Sequence, residues 1–74
     1  MNKAFQDMAE RMVTLIRVMY IYLDEFENKR ECPFFSELKG MTMALETMGI
    51  DYELEYNDEI KISAVIVNGY KAIV

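Results

Sequence analysis

The 74-residue chain contains no histidine and no tryptophan, one cysteine, one proline and three glycines. Each scarcity removes a class of chemistry. General acid–base catalysis near neutral pH most often uses histidine, and so does a pH switch. A lone Cys32 rules out a disulfide within the chain, and without histidine or a second thiolate there is no structural zinc site. As a nucleophile Cys32 lacks a base; Arg30 would lower its pKa and Glu31 would oppose that, so ordinary reactivity is expected. Gly40, Gly49 and Gly69 are too far apart to make a phosphate-cradling loop. The expectation is a protein that is not an enzyme and carries no metal or cofactor.

Basic residues are also few. Eight Lys and Arg stand against thirteen Asp and Glu, for a net charge of −5. Phosphate would repel such a surface, so neither direct nucleic-acid binding nor attachment to anionic membranes is expected. The longest apolar run, Val13 to Leu23, is interrupted by Arg17 and closed by Asp24 and Glu25, and is too short to span a bilayer. With no basic segment before it and no small-residue cleavage site after it, no targeting segment is expected. One unpaired cysteine and seven methionines fit a reducing cytoplasm.

What is abundant is apolar: 53% of the residues. A domain this small supplies only about 3–5 kcal/mol from one core. With disulfide and metal excluded, association remains as the stabiliser.

The pattern of apolar residues predicts a single α+β domain over residues 1–74. Phe5, Met8, Met12, Leu15, Met19, Tyr22 and Phe26 recur at spacings of three and four, with Ala9, Val13, Ile16, Tyr20 and Leu23 beside them. This reads as one long helix from Lys3 to Asn28 with a wide buried face. Pro33 marks a break. Ser36 is the expected N-cap of a second helix, with Leu38, Met41, Leu45 and Met48 as its apolar line and Gly49 as its C-terminal cap. Gly40 inside that helix suggests close approach to the first.

Beyond Gly49 the period becomes two. Tyr52, Leu54 and Tyr56 alternate with Glu53 and Glu55, and Ile60, Ile62, Ala64 and Ile66 with Lys61, Ser63, Val65 and Val67. Asn68-Gly69 signals a type I′ hairpin pairing Val67 with Tyr70 and Ala64 with Ile73. For the first hairpin, a three-residue loop at 57–59 keeps one face apolar by pairing Tyr56 with Ile60 and Leu54 with Ile62, and sets Glu55 opposite Lys61. The expected fold is ααβββ: two helices on the Ile/Tyr/Leu face of a three-stranded antiparallel meander.

Two surfaces then want partners. A first helix about 39 Å long would outrun a second of about 18 Å. Its leading half, with Phe5, Met8, Met12 and Leu15, would overhang and pack against a second copy in a homodimer. The far sheet face would present Val65, Val67, Tyr70, Ala72 and Val74 beside Asp51, Glu53, Glu55, Asp58 and Glu59, an apolar patch rimmed by carboxylates suited to an unidentified protein partner. In style, a tiny acidic chain with methionine-rich helices and one hairpin is similar to small proteins of phages and mobile elements. Three functions follow in order: a self-associating, non-catalytic protein-interaction module; an acidic mimic that inhibits a nucleic-acid-handling or defence protein of the CRISPR type; and a small-ligand binder using Tyr20, Tyr22, Tyr52 and Tyr56. A row of carboxylates from Asp51 to Glu59 also suits a hard cation, but a solvated sheet face gives the same alternation.

Overall fold

A computed structural model describes residues 3–26 and 32–74. The expected helix end at Asn28, and Arg30 and Glu31 beside Cys32, lie outside those residues. Helix α1 spans Lys3–Phe26, helix α2 Pro33–Met48, and strands β1, β2 and β3 Tyr52–Tyr56, Ile62–Val67 and Tyr70–Ile73. The strands form one antiparallel sheet in the order β1-β2-β3. The fold is the expected α+β, ααβββ.

α2 begins four residues earlier than a Ser36 cap implies. Pro33 opens it, because a fixed φ suits the first helical position and that position needs no N–H donor. Buried Cys32 is the N-cap, with no side-chain hydrogen bond, and the Ser36 amide closes the first turn on its carbonyl at 3.4 Å. At the other end Gly49 adopts φ 70°, its amide donates to the Glu46 carbonyl, and the Ile50 amide donates to the Leu45 carbonyl at 2.9 Å. This is a Schellman stop, and it delivers the chain into β1. Gly40 is exposed with open space where a Cβ would stand, so it mediates no approach to α1.

The β2–β3 hairpin has the expected register, with Asn68 and Gly69 both at positive φ as a type I′ turn requires. The β1–β2 register differs. Leu54 pairs with Val65 and Tyr52 with Val67, and a bulge between Glu55 and Tyr56 brings Tyr56 opposite Ile62. The pairing is displaced by three residues from the expected one, and an odd displacement turns β2 over. Hydrophobic patterning does not set this register, because both faces of Ile62–Val67 are apolar. The loop sets it. The Asn57 side-chain oxygen accepts from the amides of Glu59 and Lys61, its amide donates to the Lys61 carbonyl, and its carbonyl accepts from Ile60. The turn closes over five residues rather than three.

The helices consequently cover the opposite face of β2 and β3 from the one expected. Val65, Val67 and Ala72 are buried in one cluster with Ala9, Met12, Val13, Ile16, Leu38 and Leu45, and Tyr70 and Val74 pack against it. These five are core or its margin, not a free docking face. The true outer face carries Glu53, Glu55, Ala64, Ile66, Lys71 and Ile73. Lys71 and Glu55 join across β2 at 2.8 Å, and Ala64 in that row is buried; the expected Glu55–Lys61 pair does not form.

The helical overhang is also absent. Met12 is 0% and Leu15 3% exposed, and Phe5 and Met8 are half-buried against the core. Two facts close that half of α1. The sheet lies beneath it, with the Tyr70 hydroxyl 3.3 Å from the Glu10 carboxylate. α2 reaches further back than expected, being 16 residues long rather than about 12. Phe34 meets Tyr22 edge to face, yet Glu37, one turn later, pairs with Arg11 at 2.8 Å. No described helix is long and apolar enough to cross a membrane.

Candidate functional site

With the sheet turned over, a recess falls where α1, α2 and the β1–β2 end of the sheet diverge. It is an open groove of about 440 Å³. Met19, Tyr20 and Leu23 of α1 form one wall, and Phe35, Leu38, Lys39 and Thr42 of α2 the other. Leu54, Tyr56, Ile60 and Ile62 supply the sheet side.

Its architecture follows from the bulge and the Asn57 turn. The Ile62 amide donates to the Tyr20 hydroxyl at 2.7 Å, which pins the start of β2 to α1. Tyr56 stands at the edge, 58% exposed. Ile60 is the outlier: it holds φ +60° and is 82% exposed. The left-handed region disfavours every residue with a Cβ, and a β-branched one most. A strained backbone position that presents a bulky apolar side chain to water gains the protomer nothing; such strain clusters at recognition sites.

The polar atoms at the groove are few. The Lys61 amino group lies 5.7 Å from the centre of the Tyr20 ring and 3.9 Å from the Glu59 carboxylate. Both charges are well exposed, so the ion pair contributes little. Lys39, on the opposite wall, forms no ion pair among the described residues. The Thr42 hydroxyl donates to the Lys39 carbonyl. The arrangement is largely apolar, with Lys39 among its lining residues and Lys61 beside the Tyr20 ring.

Of the four tyrosines proposed for a pocket, Tyr20 and Tyr56 line it. Tyr22 is turned to Phe34. Tyr52 donates to the Glu46 carboxylate at 2.6 Å, and that hydrogen bond, ahead of burial, pushes its pKa up. The Tyr70 hydroxyl is raised mainly by burial and then by the Glu10 charge. The acidic residues are dispersed rather than gathered. Asp58 and Glu59 stand in the β1–β2 turn, Glu53 and Glu55 lie on the outer face, and the carbonyl of Asp51 takes the Asn68 amide at the far turn. Among the described residues no three potential ligands come together for a metal ion.

Comparison with protein-family models, with curated proteins and with solved structures found no match to this chain.

Proposed function

We propose that this chain is a non-catalytic protein-interaction module that docks through the groove, with Ile60 as its anchor. The observation that carries this reading is the exposed, left-handed Ile60 at the lip of an apolar recess. Interfaces draw most of their energy from a few apolar anchors and the pockets they meet. Here anchor and pocket are adjacent, and the free protomer bears the cost of presenting the anchor. We place the protein in the cytoplasm, where its single buried thiol would stay reduced.

A photo-crosslinking amino acid at position 60, in cells, tests the reading. A protein adduct is expected from position 60 and not from position 47, an exposed site on α2. Absence of any adduct at 60 would overturn it. A small apolar ligand in the same groove is the second reading, favoured by Tyr20 and Tyr56 both lining it. It predicts a raised melting point with a metabolite and no adduct. The acidic-mimic reading has less support, because the exposed carboxylates are spread: Glu53 on the outer sheet face, Asp58 and Glu59 in the β1–β2 turn, and Asp51 beside the Asn68 turn.

A further inference from the structure

We infer that the occupant of the groove is a second copy of this chain, each protomer inserting Ile60 into the other's recess. The inference rests on the docking reading and adds the partner's identity. An isologous contact requires one patch to hold both a projection and the recess that receives it, so that a two-fold axis matches them reciprocally. That condition is met: Ile60, 82% exposed, projects from the rim of the same recess that Tyr20, Leu54 and Tyr56 line.

Charge selects the same partner. The recess has a lysine, Lys39, on its α2 wall that forms no ion pair among the described residues. A segment that fits therefore needs an apolar anchor with carboxylates next to it. The chain's own loop is such a segment, because Asp58 and Glu59, both exposed, immediately precede Ile60. Reciprocal docking brings Asp58 and Glu59 of each protomer toward Lys39 of the partner subunit. The contact is built around one groove and opposes the mutual repulsion of two chains of net charge −5, so it belongs to the transient class, with a dissociation constant on the order of 100 µM.

Sedimentation equilibrium of the full chain from about 10 µM to about 1 mM, a range that brackets this constant, tests it. The mean mass should climb from 8.7 kDa toward twice that value. Ile60→Asp, with its fold verified by circular dichroism, should remain at the protomer mass throughout. Lys39→Glu should weaken association about tenfold, and adding Glu59→Lys in the same chain should recover most of the loss, as charge-pair exchange requires. A wild-type mass that stays at 8.7 kDa, or association that Ile60→Asp and Lys39→Glu leave unchanged, overturns the inference. A monomeric mass alongside an adduct of position 60 with a different polypeptide overturns it too, while leaving the docking reading in place.

Discussion

Replacing Ile60 by glycine should make the protomer more stable, although it deletes a large apolar side chain. The left-handed backbone at φ +60° costs a β-branched residue about 1–3 kcal/mol. Glycine relieves that strain and loses about 0.5–1 kcal/mol through the greater freedom of its unfolded chain. The contacts forfeited are small. Ile60 is 82% exposed, so about a fifth of a burial term of roughly 2 kcal/mol is at stake, near 0.4 kcal/mol. With the strain near the middle of its range, about 2 kcal/mol, the net gain is about 0.5–1 kcal/mol, and for a chain of this size each kcal/mol moves the melting point by about 4–8 °C. Asparagine tolerates the same backbone region and should also gain, whereas alanine keeps most of the penalty and should be close to neutral. Thermal unfolding at about 5 µM, below any self-association of the proposed strength, isolates the protomer. The expected order of stability is glycine and asparagine above alanine and isoleucine. If glycine and asparagine both melt several degrees below wild type, Ile60 is a packing residue of the protomer and the argument from strain fails.

Leu45 is fully buried between α2 and the core, so Leu45→Ala should cost about 2–5 kcal/mol in urea unfolding; a loss under 1 kcal/mol would mean the α2 contact is not the one described. Tyr20→Phe removes the acceptor of the Ile62 amide and should cost about 1–2 kcal/mol, with the loss of amide protection at Ile62 in hydrogen exchange as its signature. Tyr52 and Tyr70 both have pKa values raised above the ordinary tyrosine value of about 10, so their contribution is intact below that pH and is lost as pH climbs through the raised values. Melting points should therefore fall above about pH 10, and the double variant Tyr52→Phe, Tyr70→Phe should show a shallower fall; an equal slope in the two proteins would contradict those hydrogen bonds.

Much of the architecture is legible in the residues themselves. The three-and-four spacing from Phe5 to Phe26 marks α1, Gly49 stops α2, and Asn68-Gly69 fixes the second hairpin to the correct pair. The first hairpin is not legible by the same rule. Alternation assigns Ile60, Ile62, Ala64 and Ile66 to the core, but Val65 and Val67 on the other face are equally apolar, and patterning cannot choose between two greasy faces. The side chain of Asn57, which makes two hydrogen bonds to the turn, chooses instead. That same turn explains the missed site. Read as a strand residue, Ile60 is core; placed in the left-handed corner of a five-residue turn, it is the most exposed of the large apolar side chains described. Tyr20 and Tyr56 were visible as pocket candidates from their chemistry. The cover over the N-terminal half of α1 is not legible, because a Ser36 cap makes α2 four residues too short and the first hairpin hides which sheet face lies beneath. Opened by Pro33, α2 runs 16 residues, meeting Tyr22 through Phe34 and Arg11 through Glu37.

An amide-resolved NMR dilution series from about 1 mM downward, a span around the expected dissociation constant, separates the groove from every other surface. The account predicts concentration-dependent shifts confined to Tyr20, Lys39, Thr42, Leu54, Tyr56 and residues 60–62. Shifts centred on Phe5, Met8 and the start of α1, or spectra that do not change with concentration at all, would contradict it.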